Sequence, residues 1–262
     1  MKKERHFLLF FSLLFRLKML LRRERFIFFY QPQYDLKTKK VVGIEALIRF
    51  KKGNKIILPS AFIPFLEKTG KIKKITTFLV NQTLSDLKKI HQAGFKDIKL
   101  AINLSAIQLY QENLVDLIIE HLKEVNLPRH VLECEITETA LIKDNPKQMG
   151  TLSNIKKKGI ALALDDFGSG YSSFDYLRQF NINTLKIDQK FIKTLLKNEK
   201  NAYIVKAIIQ LGHQLNLTVL AEGIETKEQE KWLLKNKCEQ GQGFYFAKPM
   251  PLSDLISFLK NH

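Results

Sequence analysis

The chain has 262 residues, 45% of them hydrophobic, with 43 Lys and Arg against 26 Asp and Glu, a formal net charge of +17. That length suits one large α/β barrel or two small domains, with enough apolar residues for a substantial core. The charge favours an anionic partner (nucleic acid, nucleotide or acidic lipid), but the Lys clusters at 37–40, 71–74 and 156–158 fall in predicted turns and helix ends, where a solvated surface accounts for them.

In chain order, the first element is "MKKERHFLLFFSLLFRLKMLL", with a basic start and an apolar run from Phe7 to Phe15. No small-residue cleavage site follows, and Arg16 and Lys18 break the run short of the ~18 apolar residues of a spanning helix. Residues 1–24 are therefore expected to form a hydrophobic, basic helical segment packed on the domain or on a partner, with weak membrane-surface contact as the alternative. Residues 25–262 read as one domain, with no Pro- or Gly-rich linker.

Eight strand-like stretches follow: 26–32, 41–50, 98–105, 131–137, 160–166, 183–188, 217–223 and 243–249. Most are separated by helical periods such as "ITTFLVNQTLSDLKKIHQAG" and "AYIVKAIIQLGHQLN". Strand alternating with helix predicts a parallel α/β domain, and eight strands predict a closed (β/α)8-type barrel.

Most of these strands stay apolar until their C-terminal ends, where Glu45, Asn103, Glu135, Asp165 with Asp166, Lys186 and Glu222 appear. In a barrel such positions converge on the rim where active sites are built. Each alone has a plain reading as a helix cap or salt-bridge partner, but six agreeing ends do not. Strand alternation puts Glu45 and Arg49 on one face, and Glu133 and Glu135 on another. Glu135 is the rim residue of that pair; Glu133 is deeper and read as structural, and Glu138 as a brace for a neighbouring loop.

Two adjacent carboxylates at a strand end repel and are costly to bury without a cation. Oxygen-only ligation suits Mg2+ or Mn2+, and several carboxylates at one rim suggest two ions bridged by Asp165, with Asp166 on the second. Six scattered histidines argue against a zinc hydrolase; Cys134 and Cys238 form no ligand cluster or disulfide framework and read as free thiols of a reducing cytosol. The "GSGYSS" run after Asp166 lacks a P-loop's Lys and reads as a glycine-turned loop over the metals.

The motifs "YQP" (30–32), "EALIRF" (45–50), "NLSAIQL" (103–109), "ECEITET" (133–139), "DDFGSGYSS" (165–173), "LKID" (185–188), "AEGIET" (221–226) and "QGFYFAKPMP" (242–251) closely resemble the EAL-domain cyclic di-GMP phosphodiesterases, named for the tripeptide Glu45-Ala46-Leu47. The resemblance runs from about Arg25 to the C-terminus. It implies a modified TIM barrel whose first strand is antiparallel, and hydrolysis of cyclic di-GMP to linear pGpG with two Mg2+ or Mn2+ ions, calcium typically inhibiting. Glu45, Asn103, Glu135 and Asp165 resemble ligands of the first ion, and Asp165, Asp166 and Glu222 those of the second. Lys186 resembles the lysine that orients or helps activate the metal-bridging hydroxide, and Gln242 the glutamine near it. With Glu45 and Glu222 these form the implied catalytic set. Arg49, Leu47 and Gln31 fall at substrate-binding positions, Arg49 as the phosphate-gripping arginine. Glu138 matches the glutamate that fixes the loop after Asp166, a loop implicated in metal binding and dimerisation. Glu225 matches the second acid of the AEGxE motif, in a site role or a structural one.

Departures are small: Ser169 for a common threonine, Phe50 for tryptophan, Phe244 for tyrosine and Cys134 for an aliphatic residue. None removes an implied ligand. The chain is thus expected to be a cytoplasmic homodimeric enzyme, with peripheral inner-membrane association through residues 1–24 as a variant and no DNA or RNA binding. The alternative is a catalytically silent module that binds the dinucleotide or a protein partner.

Overall fold

Short apolar runs bounded by turns close into a barrel in the computed structural model, which describes residues 26–141, 145–168, 177 and 181–261. The N-terminal helix expected over 1–24, and Ser169 with the rest of the loop through 173, lie outside the described residues. No helix among the described residues is long and apolar enough to cross a membrane.

Strands β1 (Phe26–Asp35) and β2 (Val41–Lys52) form an antiparallel pair. The two-residue turn Gly53-Asn54, with Gly53 at φ +58°, sends the chain back as the short β3 (Lys55–Ile57). Then β4 (Lys99–Asn103), β5 (Leu132–Thr137), β6 (Ala161–Phe167), β7 (Thr184–Ile187) and β8 (Thr218–Ala221) add in parallel, and β9 (Gln240–Gly241) closes onto β1. The order β1-β9-β8-β7-β6-β5-β4-β2, with β2 returning to β1, is a closed eight-stranded ring with β3 outside it. β1 runs antiparallel to both of its neighbours, as the resemblance implies.

Helices α1 (Ile72–Gln92), α2 (Leu114–Glu124), α3 (Pro146–Lys157), α4 (Glu199–Gln214), α5 (Lys227–Lys235) and α6 (Leu252–Lys260) join the scaffold between and after the strands. In α1 the buried residues Ile72, Ile75, Leu79, Leu87 and Ile90, with Val80 and Leu84 beside them, follow the helical period, so one apolar stripe faces the barrel. Helix α5 starts at a reciprocal capping box between Thr226 and Gln229. A second apolar cluster, with Phe26, Phe50 and Phe62 packed ring on ring at 5.4–6.2 Å, seals the start of β1 against the far end of β2. Cys134 and Cys238 are buried free thiols. Lys37, Lys39 and Lys40 lie exposed in the β1–β2 turn, while Lys156, near the end of α3, is half-buried and donates to Asn183 Oδ1 at 2.7 Å.

The expected eighth strand differs. Residues 243–249 form a turn and an extended tail, and the strand that closes the ring is Gln240–Gly241, just upstream. The aromatic run "GFYF" has strand-like composition, but the amides of Phe246 and Ala247 both bond back to the Gly243 carbonyl. Gly243 also lies against the Ile224 backbone, where an added Cβ would meet the Ile224 oxygen at 2.1 Å and nitrogen at 2.3 Å. Gly243→Ala is therefore expected to destabilise the fold by about 1–3 kcal/mol, because backbone cannot yield as a side-chain tip can. Thermal unfolding checks this; an unchanged Tm would show that the turn is loosely packed.

Candidate active site

At the end of the barrel where the parallel strands finish, carboxylates from β2, β5, β6 and the residue after β8 meet around one ammonium group on β7. Lys186, on β7, is completely buried. Its Nζ lies 2.7 Å from Glu135 Oε2, 2.9 Å from Glu222 Oε1, 3.3 Å from Asp165 Oδ1 and 3.9 Å from Glu45 Oε2. Burial disfavours its charge, but the four carboxylates hold its pKa well above the ordinary lysine value. The four carboxylates thus favour the charged form of Lys186.

One ammonium does not balance four carboxylates plus Asp166. Burial, then the neighbouring acids, pushes Glu222 up to about 8 and Asp166 up to about 6. Glu135 is driven well above the carboxylate range by burial, with Lys186 opposing and Glu45 and Asp165 adding to the rise. Glu45 goes the other way: burial raises it, but the Lys186 charge and amide hydrogen bonds outweigh that and keep it low.

The amides are specific. Asn103 donates through Nδ2 to Glu45 Oε1 at 2.7 Å, leaving its Oδ1 as the atom available to a cation. Gln242 donates through Nε2 to Glu45 Oε2 at 2.6 Å and to Gln31 Oε1 at 3.0 Å.

Asp165 and Asp166 reach one centre only because β6 is irregular. Between the pairs Leu164–Leu185 and Phe167–Ile187, β6 advances three residues while β7 advances two. That bulge, with Asp166 at φ +55°, lets both carboxylates face the rim instead of opposite sides of the strand. A left-handed non-glycine residue costs roughly 1–2 kcal/mol. Asp165, Asp166 and Glu222 each offer an oxygen, and the three lie within 4.8 Å of one another. Glu135 Oε1 is buried with no hydrogen-bond partner. An excess of negative charge, an all-oxygen donor set and an orphaned carboxylate oxygen fit hard divalent cations.

A cavity of about 330 Å3 opens over this floor, lined by Gln31, Glu45, Leu47, Asp165, Glu222 and Gln242 among others. Glu225, left open between two roles, also lines it. Sequence reasoning did not single out Gln189, Lys193 and Gly223, which line it too; their signal was their position just after β7 and β8. Arg49 stands apart, with its Nη1 donating to the Ile48 carbonyl and its guanidinium 5.8 Å from the Phe29 ring. Glu138 accepts from the Gly168 amide at 3.2 Å, where the chain leaves β6. Glu133 lies toward the opposite mouth, accepting from Thr184 Oγ1 at 2.6 Å and lining a separate cavity of about 870 Å3.

Comparison with known proteins bears on this geometry. The family model for the EAL domain matches residues 16–249. The signaling protein YkoW of Bacillus subtilis is 37% identical over 240 residues, covering 91% of this chain and 30% of its own length. The cyclic di-GMP phosphodiesterase NbdA of Pseudomonas aeruginosa is 35% identical over 245 residues, 93% of this chain and 31% of its own. The MucR phosphodiesterase of the same organism, solved in complex with cyclic di-GMP, superposes with a TM-score of 0.88 at 35% identity, over 93% of this chain and 99% of that one. The chain thus spans about a third of the length of the curated relatives it matches.

Proposed function

From the membership of this chain in the EAL domain family, to which it belongs over residues 16–249, we propose that it is a metal-dependent phosphodiesterase that hydrolyses cyclic di-GMP to linear pGpG. The observation that carries the reading is the convergence of Glu45, Glu135, Asp165 and Glu222 on Lys186, beside Asp166 and beneath an open cavity.

Glu45, Asn103, Glu135 and Asp165 would hold one cation, and Asp165, Asp166 and Glu222 a second. When bound, Mg2+ or Mn2+ supplies Lewis-acid stabilisation of the attacking and leaving oxygens of an in-line displacement. The protein's own groups do the rest. Lys186 keeps a positive charge among the ligands, drawing their oxygens together and stabilising negative charge that develops on the phosphate. Gln242 offers a carbonyl oxygen without a partner as acceptor for the attacking water. Leu47 and Gly223 contribute uncharged wall to the cavity, and Lys193 at its mouth favours an anionic substrate. Arg49 would grip phosphate after turning away from the Ile48 carbonyl. Glu138 would hold the chain leaving β6, and with it Asp166, in place.

The two buried free thiols fit a cytoplasmic setting. A homodimer, and a partner or membrane-surface contact through residues 1–24, belong to the same reading.

The test is to incubate purified protein with cyclic di-GMP and Mn2+, Mg2+ or EDTA and separate the nucleotides. Appearance of pGpG only with metal is the expected result. Tight binding of the dinucleotide without turnover would make the chain a receptor, and neither binding nor turnover would overturn the substrate.

A further inference from the structure

We propose that Gln31 is a positioning residue that sets the hydrogen-bond polarity of Gln242, forcing it to offer the reaction its carbonyl oxygen and never its amino group. The inference rests on the phosphodiesterase reading, and it gives Gln31 a role other than contact with the substrate.

The argument starts at an atom whose role is not negotiable. The Ala247 carbonyl can only accept, and it lies 3.0 Å from the Gln31 side-chain nitrogen. Gln31 must therefore point Nε2 at Ala247 and Oε1 at Gln242. An oxygen there accepts from Gln242 Nε2 at 3.0 Å, so the Gln242 amino group faces Gln31. The second Gln242 amino proton goes to Glu45 Oε2 at 2.6 Å. Both protons are then engaged, and Oε1 remains, buried and without a partner in a residue that lines the cavity. An orphaned buried acceptor costs about 1–3 kcal/mol until a donor reaches it, and the hydroxyl of an attacking water is such a donor.

Turning the Gln242 amide over would set its carbonyl against the Glu45 carboxylate and against the Gln31 carbonyl, exchanging two hydrogen bonds for two repulsions. Glu45 alone does not secure this, because its carboxylate would also serve a bound cation. The Gln31 contact is neutral and independent of that cation.

The relay is anchored at its far end by backbone. Tyr30, next to Gln31, exchanges two hydrogen bonds with Met250, at 2.7 and 3.0 Å, which fixes β1 against the tail. The Ala247 amide bonds to the Gly243 carbonyl at 3.1 Å, closing the turn that presents Ala247. The segment that fails to become a strand is the one that supplies the polarity.

The experiment compares Gln31→Met, Gln242→Met and the double variant by steady-state kinetics at saturating Mn2+, with Tm measured for each. Gln31→Met should lower kcat by roughly threefold to tenfold, the value of one neutral hydrogen bond, with KM within about twofold. Because Gln31 acts through Gln242, the double variant should fall no lower than Gln242→Met alone. A raised KM at unchanged kcat, or losses that multiply in the double variant, would show direct substrate contact and overturn the relay. If Gln31→Met does not fold, Gln31→Asn keeps an amide that is too short to reach Ala247 and should show the same kcat loss. A readout independent of catalysis is the side-chain amide pair of Gln242 in nitrogen-15 NMR of the metal-free protein. Slow solvent exchange in the wild type that becomes fast in Gln31→Met is expected; equal exchange in both would refute the relay. Since this arm needs no turnover, an inactive wild type would sink the phosphodiesterase reading and still leave the relay decided.

Discussion

Glu45→Ala is expected to reduce cyclic di-GMP turnover by roughly a thousandfold or more, while the protein remains folded. The carboxylate sits on β2 at the rim, 5% exposed, with Oε1 bonded to Asn103 and Oε2 to Gln242. Its removal deletes a ligand position and releases the two amides whose orientation it fixes. Losing a charge-stabilising metal contact is worth several kcal/mol at the transition state, and about 4 kcal/mol corresponds to a thousandfold. Stability should change far less. Glu45 stands 3.9 Å from Lys186 while Glu135 and Glu222 lie within 3 Å, so the ammonium keeps close partners, and one expensive buried charge is gone. The measurements are kcat by nucleotide separation and Tm by calorimetry. Activity within a few-fold of wild type would remove Glu45 from the site.

The second large effect is expected at the other sign of charge. Lys186→Met should abolish turnover and destabilise the metal-free protein by about 3–5 kcal/mol at pH 8, because it leaves buried carboxylates without their counter-ion. The pH sign follows from proton binding. Burial and like charges already hold Glu222 at about 8 and Asp166 at about 6 in the folded state, above their ordinary values. A folded state that binds more protons than the unfolded one loses stability as pH rises, here between about 4.5 and 8. The penalty in Lys186→Met should therefore shrink toward pH 5, and added Mg2+ or Mn2+ should restore part of the loss at pH 8. Denaturant titrations at both pH values, with and without metal, check this. A Tm equal to that of wild type at pH 8 without metal would mean that the lysine does not neutralise the cluster.

Much of the molecule was legible in the sequence because strand period and strand end are local signals. Alternation on β2 separates the Glu45 face from the Ala46 face. The rule that polar residues gather at the C-terminal ends of barrel strands selects Glu45, Asn103, Glu135, Asp165, Lys186 and Glu222 from the sequence alone. Their meeting around Lys186 follows from ring closure, which brings residues up to 177 positions apart (Glu45 and Glu222) to one ammonium. The eighth strand was misplaced because "GFYFAKP" carries the composition of a strand while the amides of Phe246 and Ala247 turn back on Gly243 and that of Tyr245 is taken by the Ile224 carbonyl. Composition reports what a side chain favours, and it is silent on which carbonyl an amide has already found.

The sequence by itself determined the α/β barrel, the set of rim side chains and the family. Each rests on periodicity and on the identity of residues at fixed spacing, which the chain carries in one dimension. Only the tertiary structure decided how Asp165 and Asp166 share a centre, since regular alternation would have set them apart and a bulge paired against β7 brings them together. It alone decided the direction of the amides of Asn103, Gln31 and Gln242, because hydrogen-bond polarity belongs to a pair of groups, and the partners arrive from β1, β2 and the tail after β9. The protonation preferences of Glu45, Glu135, Asp166 and Glu222 also belong to the assembled site, since a buried carboxylate answers to charges that only folding brings near it.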